Sequence, residues 1–95
     1  MLLGNVIASF EDPACAAEAL LALDDLALTA AITAAAAEEK MTVGEFAMQS
    51  VGAFVDGASD EKWLTVVGLM SRADNPGQVF LRRILSDALA IRAAG

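Results

Sequence analysis

The chain of 95 residues contains no histidine, no tyrosine and a single cysteine. Histidine is the commonest general acid–base group and a frequent metal ligand. Its absence removes the usual zinc and haem ligation and the Glu-x-x-His pattern of di-iron bundles. A Cys–His nucleophile pair is likewise excluded within one chain. The composition therefore predicts a protein that is not an enzyme and that holds no metal or cofactor.

The sequence also predicts no internal disulfide, no signal peptide and no membrane span. The lone Cys15 excludes an internal disulfide, and we expect it to be a small buried apolar residue. The apolar start lacks basic residues and is cut short by Glu11 and Asp12, unlike a signal peptide. The longest uncharged run, residues 26–37, is much shorter than the roughly 20 residues of a membrane span. We therefore expect a soluble, cytoplasmic protein.

Basic residues are absent from residues 1–39, which carry all of the net charge of −7. From Lys40 onward, six acidic residues balance six basic ones. An acidic surface repels phosphate backbones and anionic lipids and attracts basic proteins. We expect no nucleic acid or membrane partner. The plainer interpretation is that the acids keep an alanine-rich surface soluble.

Apolar residues make up 57% of the chain, which is above the usual 45–50%. Much of this excess is alanine, which favours helices but buries little area per residue. The extra apolar residues must either lie between closely packed helices or stay exposed for contact with a partner. The pattern predicts an all-α fold: a compact orthogonal bundle of about five short helices in a single domain of residues 1–95, with four to six helices as the margin.

The first half of the chain has one clear helix boundary and one ambiguous one. A short helix is predicted over residues 2–10, and Asp12-Pro13 then begins a second helix as N-cap and first helical residue. Asp24-Asp25 either breaks the chain into two helices or lies within one continuous helix to Lys40, about 42 Å long. Adjacent aspartates compete for the backbone inside a helix, which favours the break.

Residues 42–70 have the pattern of a helical hairpin. Thr42 and Glu45 form a capping-box sequence at the start of its first helix, and Asp56-Gly57 is expected to end that helix with glycine at C′. Ser59 is expected to cap the second helix. The connection is short, so the two helices should lie antiparallel or at a steep angle.

The last helix is predicted to start at Asn75-Pro76 and to run to about residue 93. It carries two apolar stripes: one of Phe80, Ile84, Ala88 and Ile91, and one of Leu81, Leu85 and Leu89. Two stripes are more than a small monomer needs to bury, so the first stripe is the predicted interface.

Two glycines lie inside the predicted hairpin helices, Gly52 and Gly68. Each costs about 1 kcal/mol relative to alanine in a helix. We predict that at least one of them marks a close helix crossing, either within the fold or between two copies of the chain.

These observations favour a non-enzymatic interaction or regulatory module that self-associates through the last helix or the hairpin of residues 42–70, most simply as a homodimer, or that binds a basic protein. If the acidic N-terminal helices met the last helix's arginines in a neighbouring subunit, salt would weaken the association. Alternatively, the acidic N-terminal helices could meet these arginines within the same subunit. Two alternatives are a carrier of a small apolar ligand, which methionines and aromatic residues could surround, and a non-catalytic subunit of a larger assembly.

Overall fold

The protein folds into six helices over the residues that the structure describes. A computed structural model describes residues 3–94, apart from the side chains of Leu3, Val6 and Ser9. Within that range there are six helices: α1 Leu3–Ser9, α2 Pro13–Ala22, α3 Leu26–Glu38, α4 Val43–Gly57, α5 Asp60–Ser71 and α6 Pro76–Ala94. Leu2, which was predicted to belong to the first helix, lies outside the described residues.

The capping predictions are confirmed at four helix starts. Asp12, Thr42 and Ser59 accept hydrogen bonds from the first turns of α2, α4 and α5. Thr42 and Glu45 also form the reciprocal capping box, with N···O distances of 3.1 and 2.8 Å. Asn75 accepts from the amide of Gln78 at the start of α6. The caps are confirmed because each is decided within four residues of chain.

The ambiguity at Asp24-Asp25 resolves as a break between α2 and α3. Asp24 adopts the left-handed conformation with φ 53°, and the Asp25 carboxylate caps α3 by accepting from Leu28 N–H at 3.0 Å. The break raises the number of helices to six, at the upper end of the expected range. The all-α bundle is confirmed.

A second left-handed residue ends α3. Lys40 has φ 58°, its N–H donates to Ala37 O, and the N–H of Met41 donates to Ala36 O. This is a Schellman motif with lysine where glycine is usual. The predicted glycine stop at Gly57 is wrong: Gly57 stays inside α4, and no described glycine has positive φ. The chain leaves the helix instead through the extended Ala58 and Ser59, a conformation that the Ser59 cap requires.

Helix α6 is the centre of the bundle, because it packs against α2, α3, α4 and α5. Its side chains Phe80, Leu81, Ile84 and Leu85 are all buried. The Phe80 ring lies 6.1 Å from the rings of Phe10 and Phe54, stacked on the first and edge-on to the second. The radius of gyration is 12.4 Å, which agrees with that of a compact chain of this length.

Helix α4 and the start of α2 approach each other closely at Gly44. A Cβ atom on Gly44 would overlap the Pro13 carbonyl oxygen and lie 2.8 Å from its carbonyl carbon. Only glycine therefore permits this contact. A Cβ atom on Gly52 or Gly68 would have no atom of another helix within 4 Å among the residues that the structure describes. The prediction that one of them marks a crossing within the fold is thus wrong, and Gly44 has that role. A crossing at either glycine between two copies stays a prediction.

Candidate functional site

A surface groove lies between α4, the start of α5 and the second half of α6. We call it the α4–α6 groove. It encloses about 480 Å³. Its apolar lining residues are Phe46, Ala53, Phe54, Ile84, Ala88 and Ile91, and its charged ones are Glu39, Lys62, Asp87 and Arg92. The groove thus combines an apolar floor with two acidic and two basic side chains at its edge.

Aromatic packing fixes the floor of this groove. Phe46 and Ile84 are buried, and they join the floor to the core of the bundle. The ring of Phe54 packs edge-on against Trp63 with 4.8 Å between centroids. Phe54 also contacts Phe80, so its position is set by two helices besides its own. An apolar surface held in this way is preformed, which lowers the ordering cost of binding.

Arg92 connects the edge of the α4–α6 groove to the end of α3. Its guanidinium nitrogens lie 2.6 Å from Glu38 Oε2 and 2.5 Å from Glu39 Oε1. The same group lies 5.9 Å from the centre of the Phe46 ring, at cation–π range. The side-chain hydrogen bond with Glu39 is the main cause that raises the pKa of Arg92. We call Arg92, Glu38 and Glu39 the Arg92 clamp.

All three arginines of α6 are engaged within the chain. Besides Arg92, Arg82 donates to Leu23 O at 3.2 Å, and Arg83 pairs with Asp87 one turn along the helix at 3.3 Å. Contact between the acidic N-terminal part and the last helix, expected in the same or a neighbouring subunit, therefore occurs inside one subunit. Sequence reasoning missed that Arg92 specifically meets the adjacent glutamates, which lie more than 50 residues earlier.

A smaller groove lies on another side of α4, between that helix and α1 with the following turn. We call it the α1–α4 groove, and it encloses about 260 Å³. Its lining residues are Ile7, Phe10, Glu11, Met48, Val51, Gly52, Val55 and Asp56. Both charged members are acidic. Helix α4 is therefore the wall that the two grooves share.

Five of the six predicted interface residues lie in the core or line one of the two grooves, and Gly68 does neither. Phe80 is completely buried and lines neither groove, so the prediction that it contacts a partner is wrong. Ile84 is also buried but forms part of the floor of the α4–α6 groove, where a contact with a partner stays a prediction. The reason is that α6 lies at the centre and buries both stripes in its first half. Ala88 and Ile91 line the α4–α6 groove, and Gly52 lines the α1–α4 groove.

Cys15 is exposed near the start of α2, so the prediction of a buried apolar residue is wrong. The residues that α2 buries completely are Ala16 and Leu20, one turn apart, and Cys15 points away from that line. Residues 3–94 contain no group of three or more acidic, cysteine or histidine side chains arranged for a metal ion. Over the same range, no helix has both the length and the apolar composition needed to cross a bilayer.

Comparison with known proteins gives no further identification. No protein-family model, curated protein or solved structure matches the chain. What can be inferred about function therefore rests on the two grooves and their charges.

Proposed function

We propose that the protein is a non-enzymatic interaction module that self-associates through the α4–α6 groove. The observation that carries this proposal is Ile91, a large apolar side chain that is 65% exposed at the edge of an apolar groove formed partly by its own helix. Ile91 and the groove lie next to each other on one surface, so two copies can pair through that surface. A two-fold axis near Ala88 would place each Ile91 in the groove of the other copy.

Charge supports a second copy as the partner. Two chains of net charge −7 repel one another over most of their surfaces. The α4–α6 groove is lined by two acids and two bases, so its local charge is balanced. Two copies that meet there bring apolar surface together with the least added repulsion.

The expected salt dependence changes sign from the one that the sequence suggested. The arginines of α6 already bond within the subunit, so salt has no intersubunit arginine contact to screen there. The remaining long-range term is repulsion between two acidic chains, which salt weakens. We expect the dimer to become somewhat tighter between about 0.05 and 0.3 M salt, where the Debye length falls below about 10 Å.

The test is the molar mass by light scattering and sedimentation across protein concentration. Ile91→Asp should weaken the dimer by at least tenfold, because a charge would be buried in an apolar contact (about 1.4 kcal/mol or more). Leu26→Asp is the matched control: Leu26 is 83% exposed but lines neither groove, so its substitution should leave the dimer unchanged. A wild-type monomer at every concentration and salt would contradict the proposal.

The groove volume also supports the second candidate function, a carrier of a small apolar ligand. About 480 Å³ lies within the range of small-molecule sites, and Phe46 and Phe54 give the aromatic lining typical of them. Native mass spectrometry of freshly purified protein would reveal a bound molecule as added mass. A ligand that occupies the groove should compete with dimer formation, so adding it should release monomers.

A further inference from the structure

We infer that the α1–α4 groove is a second interaction site, and that its partner is a basic amphipathic helix of another protein. The groove is separate from the proposed dimer surface and lies on a different side of α4. Two features of its residues depart from what local stability favours, and no contact among the described residues compensates for them. A third feature is the sign of its charge. Each is explained by the same occupant.

The first feature is the glycine in the middle of α4. Glycine at this position costs about 1 kcal/mol relative to alanine, and Gly52 is exposed, with none of the described atoms within 4 Å of an added Cβ. On the same helix, Gly44 has a clear packing reason in Pro13, and Gly52 has none. A missing side chain in the lining of a groove allows a partner backbone to approach α4 closely.

The second feature is the placement of Asp56. It lies in the last turn of α4, where the helix dipole disfavours an anion, and that turn contains no basic residue. The exposed carbonyl groups of the helix end add to the negative potential at Asp56. A cation from a partner would be stabilised by both.

The third feature is the absence of any positive charge in the elements that form the groove. Helices α1 and α4 contain no lysine or arginine, and the charged lining residues are Glu11 and Asp56. A second copy is disfavoured here, because it would bring a net charge of −7 to an acidic groove. A chain with lysine or arginine beside its apolar stripe is attracted instead.

The apolar lining of the groove supports a helical occupant, because Met48, Val51 and Val55 recur along α4 at intervals of three and four residues. Phe10 and Val51 are buried at its base, while Ile7, Met48 and Val55 are partly exposed along its sides. Methionine adapts to differently shaped partners, and aliphatic side chains at helical spacing give a groove for i, i+3, i+4 anchors. Apolar anchors supply affinity, and the two carboxylates select basic over acidic partners.

The test uses a fluorescein-labelled synthetic peptide made of leucine and lysine in helical spacing, with a matched peptide that has glutamate in place of lysine. Anisotropy titrations should show binding of the lysine peptide only, weakened by added salt. The double variant Glu11→Gln/Asp56→Asn keeps the shape of the groove and should weaken binding by about fivefold to tenfold. Gly52→Trp fills the groove and should weaken it by more than about tenfold.

The dimer variant separates this inference from the proposed function. Ile91→Asp lies outside the α1–α4 groove and should change peptide affinity by less than about twofold. Circular dichroism checks that each variant is folded, and the double variant tests the inference even if Gly52→Trp does not fold. Equal binding of both peptides, no binding, or binding that neither groove variant weakens would overturn the inference. So would loss of the dimer in Gly52→Trp, since a second copy would then occupy this groove.

Discussion

The two grooves on either side of α4 share one helix but differ in the state of their charges. In the α4–α6 groove, acids and bases are equal in number, and Arg92 and Asp87 are already paired within the chain. In the α1–α4 groove, the charged lining residues are both acidic. Paired charges leave apolar contact as the main source of affinity, whereas unbalanced charges also select the partner. One amphipathic helix can therefore present two surfaces with different partner chemistry.

The largest expected effect destabilises α4, the helix that both grooves share. Gly44→Ala places a Cβ atom against the backbone of Pro13, so α2 and α4 must separate. We expect the free energy of unfolding to fall by at least about 2 kcal/mol, because neither side of the contact is a flexible side chain. Chemical denaturation with urea measures this loss.

The matched control for that variant is Gly52→Ala on the same helix. Its Cβ would point into open space, so alanine should stabilise α4 by about 1 kcal/mol. Gly44→Ala should lower the free energy of unfolding and Gly52→Ala should raise it. This difference tests whether Gly44, and not Gly52, marks a close helix crossing within the chain. Equal effects would show that the α2–α4 contact leaves room for a side chain.

A smaller change in stability is expected at Asp24 and Lys40, the two non-glycine residues with left-handed backbone that follow α2 and α3. Lys40→Gly should stabilise the protein by about 0.5–1 kcal/mol, because it removes the steric cost of a lysine Cβ at φ 58°. Asp24→Gly should stabilise the protein less than Lys40→Gly, because aspartate tolerates the left-handed conformation better than lysine does. Thermal unfolding of both variants gives the comparison, and a larger gain at Asp24 would contradict it.

The smallest expected effect concerns the Arg92 clamp at the edge of the α4–α6 groove. Arg92→Met keeps much of the packing on Phe46 and removes the pairs with Glu38 and Glu39. We expect a lower melting temperature at low salt and a smaller difference from the wild type at high salt, because the pairs are partly exposed and screened. Arg83→Met, which removes only a pair within α6, is the control and should change less.

The positions of the helices could be read from the sequence because the deciding interactions are short-range. Asp12 with Pro13, Thr42 with Glu45, and Ser59 each satisfy amides within four residues, so no distant contact is needed to predict them. The exception was Gly57. Its expected left-handed turn gave way to the extended backbone that the next cap requires.

The surfaces could not be read in the same way, because periodicity shows that a face is apolar but not what covers it. Ile91 and Phe80 belong to one stripe of α6, yet one is exposed and the other is buried. Helices α2 to α5 all pack against α6, and its buried side chains lie in its first half. Which part of α6 is covered depends on how the chain turns between helices. Half of the predicted stripe was therefore core.

The sequence by itself determined the all-α class, four of the helix starts through their caps and prolines, and the concentration of negative charge in residues 1–39, but it left the start of α3 open. Only the tertiary structure decided that Gly44 and not Gly52 is the close crossing, and that Arg92 meets Glu38 and Glu39. The physical reason is range. Caps and composition act within a few residues, whereas a crossing or a distant ion pair depends on which helices the whole bundle brings together.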